Sequence, residues 1–90
     1  MGIRQGVTRY TSGYIRKLTN SEKARGYMFI SNDRLIKGNK DIKIIIGNKN
    51  FSGENIDNSG RIVAGKDVIQ DIGNKDITFK LSGNRLTITF

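Results

Sequence analysis

The stretch Asp76-Ile77-Thr78-Phe79-Lys80-Leu81-Ser82-Gly83-Asn84-Arg85-Leu86-Thr87-Ile88-Thr89-Phe90 decides the fold class of this chain. Apolar and polar residues alternate on both sides of Gly83-Asn84, the period of a strand with one buried face. Ile77, Phe79 and Leu81 share one face of the outgoing strand, and Leu86, Ile88 and Phe90 share one face of the returning strand. Gly and Asn both accept the positive φ that tight hairpin turns demand. A β-hairpin is the expectation.

The same turn signal recurs upstream. Gly-Asn followed by a basic residue occurs at Gly38-Asn39-Lys40, Gly47-Asn48-Lys49 and Gly73-Asn74-Lys75 as well as at Gly83-Asn84-Arg85. Between these turns lie short runs rich in Ile, Thr, Phe and Tyr, and only Asn20–Ala24 has a helical look. The spacing predicts strands over Tyr14–Leu18 and over Tyr27–Ser31, the latter resuming through Arg34–Ile36. A third follows at Asp41–Ile46, with Ile42, Ile44 and Ile46 on one face and Lys43 and Ile45 on the other. The fourth and fifth are Asp76–Leu81 and Arg85–Phe90. Gly47–Gly60 reads as a polar segment and Arg61–Ile72 as short apolar pieces of undecided role. Val68–Ile72 as fourth strand would place Gln70 on an apolar face, so the hairpin is preferred. The expected fold is all-β, a small five-stranded barrel with a long loop between the third and fourth strands.

Composition narrows the function. The chain has no Cys and no His, which removes disulfides, the usual zinc sites, thiol nucleophiles and imidazole catalysis. Its eight carboxylates lie mostly in turn-like contexts; Glu54-Asn55-Ile56-Asp57 and Asp71–Asp76 lack the ligand register of a calcium loop. Neither an enzyme nor a cofactor is expected. The longest apolar run is Ile44-Ile45-Ile46 and the opening residues lack an apolar signal core, so a cytoplasmic chain with no membrane partner is expected.

The net charge of +8 is one-sided. Residues 1–49 hold eleven Lys and Arg against Glu22, Asp33 and Asp41, whereas residues 50–90 balance five against five. Such a field attracts polyphosphate backbones through counterion release. Arg25-Gly26-Tyr27-Met28-Phe29-Ile30 sits within it. In a strand, Tyr27 and Phe29 project to one face and Met28 and Ile30 to the other; alternation alone does not say which pair is buried. Exposed rings on a basic sheet form a stacking platform for unpaired bases.

Arg25–Ile30 resembles the first RNA-binding motif of the cold-shock domain, Lys-Gly-Phe-Gly-Phe-Ile. Gly13–Leu18 is similar to that family's opening strand, Asp41–Ile46 stands where its second motif lies, and Ile77–Leu81 resembles its fourth strand. The resemblance spans residues 13–90. It implies a Greek-key OB-type barrel that binds single-stranded RNA or DNA, as an RNA chaperone or a regulator of transcription or translation. Tyr27 and Phe29 would stack on bases with Lys17, Arg25 and Lys43 around them. The chain departs from the pattern at Lys17, which replaces a Trp. Lys43 and Ile45 replace the stacking residues of the second motif, and Met28 replaces a Gly. Lys43 and Ile45 therefore belong to the expected interface by position, more basic and less aromatic than the family's. Arg16, Lys23, Arg34, Lys37, Lys40 and Lys49 are candidate backbone contacts. Phe51, a lone Phe in polar sequence, reads better as a core plug than as a stacker. Residues 1–12, with Arg4 and Arg9, are expected to form a flexible basic arm. Two rival readings are a protein-interaction module meeting an acidic partner through Lys43 and Ile45, and a phage or viral assembly component. The oligomeric state is left open.

Overall fold

The computed structural model describes residues 10–90. The C-terminal hairpin is its centre: β6 (Ile77–Ser82) returns as β7 (Arg85–Thr89), with Ser82 opposite Arg85 and Phe79 opposite Ile88. Gly83 has φ +60° and, among the described residues, none other than Gly has positive φ, the arrangement of a two-residue turn with Gly first. The Gly47-Asn48 turn is built the same way, with Gly47 at φ +62° joining β3 (Lys43–Ile46) to β4 (Lys49–Ser52). The other two Gly-Asn pairs are not hairpins. Gly38 follows a short helix, α2 (Arg34–Lys37), and Gly73 ends α3 (Lys66–Ile72).

β3 pairs with β7 in parallel, and β1 (Tyr14–Arg16) pairs antiparallel with β6, so the sheet order is β1-β6-β7-β3-β4. A parallel pair needs a crossover. Here the crossover runs through β4, a 3₁₀ turn at Gly53–Asn55, β5 (Arg61–Ile62), α3 and β6. β5 pairs with β2 (Met28–Phe29) as a separate two-stranded ribbon, Met28 opposite Ile62 and Phe29 opposite Arg61. The last element is α1 (Asn20–Arg25).

Alternation sorts the faces of the sheet. Ile44, Ile46, Ile77, Phe79, Leu86 and Ile88 are buried on one side. They form one apolar cluster with Met28, Ile30 and Ile62 of the ribbon region and with Val68, Ile69 and Ile72 of α3. The ribbon and α3 thus cover the sheet's apolar face.

Strands predominate, but the expected barrel is replaced by an open mixed sheet. β1 and β4 are its two margins, and no closure between them occurs among the described residues. The reason lies in residues 47–75, expected as a long loop. They supply β4, the 3₁₀ turn, β5 and α3, and so bury the apolar face without the sheet curling onto itself. α3 was hidden by its brevity between Gly65 and Gly73. Its buried residues, Val68, Ile69 and Ile72, nonetheless follow a helical period, with Asp67, Gln70 and Asp71 exposed.

Other expectations change locally. Arg34–Ile36 is helical rather than a resumed strand, because Asp33 starts a helix. Its carboxylate accepts from the Leu35 amide at 2.8 Å and its carbonyl from Lys37 at 2.7 Å. Phe90 lies beyond β7 and is 41% exposed, outside the core. Residues 1–9 of the expected arm, with Arg4 and Arg9, lie outside the described residues. Tyr10 is buried, so it belongs to the core and not to a flexible arm.

Candidate nucleic-acid interface

The site begins at Thr19. Its hydroxyl accepts from the Glu22 amide at 3.2 Å while a Glu22 oxygen accepts from the Thr19 amide at 2.8 Å, a reciprocal cap that starts α1. Gly26, at φ +77°, stops the helix by donating its N–H to the Glu22 carbonyl at 2.9 Å. The chain then reverses into β2. Met28 and Ile30 are fully buried, whereas Tyr27 and Phe29 are half-buried and face outward. The open question of which pair stands outside is thereby resolved.

Glu22 ties this turn to the sheet. Arg16 of β1 donates from both terminal nitrogens to the two Glu22 oxygens, each at 2.7 Å. The Phe29 amide donates to Glu22 Oε2 at 2.7 Å, and Arg16 also donates to the Phe29 carbonyl at 3.1 Å. Three successive segments, β1, the cap of α1 and β2, meet on one buried carboxylate. Burial pushes the Glu22 carboxyl up. The Arg16 hydrogen bonds, the Thr19 and Phe29 amides and the Arg16 charge outweigh that and hold it below the ordinary carboxylate range.

Beside this pair the rings gather. Phe79 of β6 is the floor: Tyr10 stacks on it at 5.1 Å, Tyr14 tilts against it at 5.8 Å, and the Arg16 guanidinium lies 5.3 Å from its centroid. The Tyr10 hydroxyl donates to the Ile30 carbonyl, fastening the floor to the residue that follows β2. Across the ribbon, Asp57 shapes the entry to β5. The Arg61 and Ser59 amides donate to its carboxylate at 3.0 and 2.8 Å, and the Arg61 amide above all holds it below the usual carboxylate range. This turn delivers Arg61, whose guanidinium stands 4.7 Å from the Tyr27 ring centroid.

The result is an open cleft of about 350 Å³ lined by Tyr14, Tyr27, Phe29 and Arg61, with Tyr10, Arg16, Thr19 and Glu22 behind them. It has flat rings, a cation already stacked on one of them, and a carboxylate neutralised by its own partner. That volume suits one planar ring system rather than a large ligand.

Of the expected site residues, the structure brings Tyr27 and Phe29 together. Arg16 stands with them, but its guanidinium is engaged by Glu22 and by backbone carbonyls; it positions the site instead of meeting phosphate. Lys17 is exposed and ion-paired with Asp76, Lys23 donates to the Asn74 side chain at 2.8 Å, and Arg25 is exposed in the last turn of α1. Lys43 and Ile45 do not belong to this cleft. Tyr14 and Arg16 lie opposite Phe79 and Ile77, on the apolar side, whereas Lys43 and Ile45 project to the opposite side of the sheet, beyond β6 and β7. Lys37 donates to the Asn58 carbonyl at 3.0 Å, and Lys40 and Lys49 are exposed. Phe51 packs half-buried against the core, as a plug.

Sequence reading missed Glu22, Arg61 and the floor formed by Phe79. The Thr19-x-x-Glu22 spacing is a capping signature that could have marked Glu22. Arg61 had no local signal, since its place depends on the pairing of two strands far apart in sequence.

Among the described residues no group of His, Cys, Asp or Glu is placed to hold a metal ion, and no helix is long and apolar enough to cross a membrane. No family model matches the chain, and comparison with curated proteins and with solved structures returns no match.

Proposed function

We propose that this chain binds single-stranded nucleic acid, seating an unpaired base against Tyr27 and Phe29 while Arg61 meets the adjoining phosphate. The single observation that carries this reading is the outward pair of rings, Tyr27 just before β2 and Phe29 on it, with Arg61 stacked on Tyr27. Base–aromatic stacking contributes about 1–3 kcal/mol per base and tolerates any base. The Arg16–Glu22 pair sets the spacing of the rings, and the net charge of +8 draws the polyanion to the surface. On this reading the chain is a divergent relative of the cold-shock domains, keeping the first of their two motifs on an open sheet. It acts in the cytoplasm as an RNA chaperone or a regulator of transcription or translation.

Titration with a short single-stranded oligonucleotide, followed by NMR, tests the placement. The Tyr27 and Phe29 ring protons are expected to move upfield, with the Arg61 side-chain N–H shifting alongside. Changes confined to lysines outside the cleft would rule the placement out.

A further inference from the structure

Among the described residues one side of the five-stranded sheet is left uncovered, and it carries a second basic surface. Register places Lys43 of β3 beside Arg85 of β7, and Arg85 opposite Ser82 of β6. Lys80 stands opposite Thr87, which in turn neighbours Ile45. Lys43, Lys80, Ser82 and Arg85 are exposed. No Asp or Glu occupies an outward position of β1, β3, β4, β6 or β7, and none of these three cations is ion-paired among the described residues. Glu22 pairs instead with Arg16, and Asp76 with Lys17.

The arrangement is held in place. The Asn84 side chain donates to the Asp41 carbonyl at 3.0 Å and accepts from Asn39 at 2.7 Å, while the Asn84 backbone carbonyl accepts from the Lys43 amide at 2.9 Å. The β6–β7 turn is thus fastened to the start of β3, which sets Arg85 next to Lys43. Two adjoining depressions of about 320 and 400 Å³ share both cations. Like charges on neighbouring strands disfavour the fold. An anion lying between them relieves that repulsion.

We infer that this open face is a binding surface for the phosphodiester backbone of nucleic acid, one that needs no unpaired base. The fit is chemical: two lysines, an arginine and the Ser82 and Thr87 hydroxyls are the donors that backbone oxygens accept from. A lipid surface fits less well, because Ile15, the one strongly exposed apolar residue on this face, sits on the marginal strand β1. The nature of the partner rests on the nucleic-acid reading above, but the surface does not rest on the aromatic cleft. Because the cleft opens on the other side, one chain can hold a single strand in the cleft and a duplex on the sheet.

Duplex DNA binding across a salt series, with the intact chain, tests this. Lys43→Thr/Lys80→Thr/Arg85→Thr keeps β-forming residues on the strands; Lys66→Thr/Lys75→Thr removes charge elsewhere. For three phosphate contacts, the first variant is expected to lower the slope of log K against log salt by about 2.7, some fortyfold between about 50 and 200 mM. The control is expected to retain most of the slope. Equal losses in both variants, or no duplex binding by the wild type at about 50 mM salt, would each overturn the inference. Tyr27→Ala/Phe29→Ala reads the cleft separately: it is expected to leave duplex binding intact, whether or not the single-strand reading holds.

Discussion

Glu22→Ala is expected to remove about 3–5 kcal/mol of folding stability, a large part of what about 90 residues provide. The carboxylate is 3% exposed and satisfies both terminal nitrogens of Arg16 and the amides of Thr19 and Phe29. Removing it leaves Arg16 largely buried without its counter-ion and α1 without its reciprocal cap. A fall in Tm of more than about 12 °C is the expected reading in a thermal melt. Glu22→Gln keeps the shape and removes the charge, so it isolates the ionic part. The pH dependence has a definite sign. The folded-state pKa of Glu22 lies below its ordinary value of 4.5, so its stabilising effect is fully present above that pH and is lost as pH falls through the folded value. The wild type is therefore expected to lose Tm between about pH 5 and pH 3 more steeply than Glu22→Gln. Parallel curves would show that the charge of Glu22 contributes nothing to folding.

Phe79→Ala is expected to cost about 3–5 kcal/mol for a second reason, the void left by a fully buried ring. Phe79 is also the floor on which Tyr10, Tyr14 and Arg16 rest, so the loss falls on the cleft as well as on the sheet. Chemical denaturation measures the first effect. Near-ultraviolet circular dichroism of the tyrosines reads the second, and a spectrum unchanged under native conditions would contradict the role of Phe79 as their support. Phe79→Leu fills part of the void and is expected to be milder on both counts.

What could be read ahead was what alternation states locally. Ile77/Phe79 and Leu86/Ile88 around Gly83-Asn84 specified a hairpin, and Ile42, Ile44 and Ile46 specified a one-faced strand start; these residues are buried as expected. What stayed hidden was non-local or too short to show a period. Lys49–Ser52 carries a single apolar residue and is a strand only because Gly47-Asn48 folds it back along β3. The parallel pairing of β3 with β7 joins segments with half the chain between them, and no local pattern encodes it. The same limit shaped the reading of the site. Tyr27 and Phe29 were legible as an alternating pair, but which side they faced awaited the burial of Met28 and Ile30. Lys43 and Ile45 were placed beside them by likeness to another family's second motif. The strand register puts them on the opposite face.

The most direct measurement is fluorescence anisotropy with matched single-stranded and duplex oligonucleotides, comparing the wild type with Tyr27→Ala/Phe29→Ala. Two rings at about 1–3 kcal/mol each predict a loss of about thirtyfold or more in single-strand affinity, and with it the preference over duplex. Single-strand affinity unchanged in the double variant would contradict base stacking in the cleft, and with it the central claim.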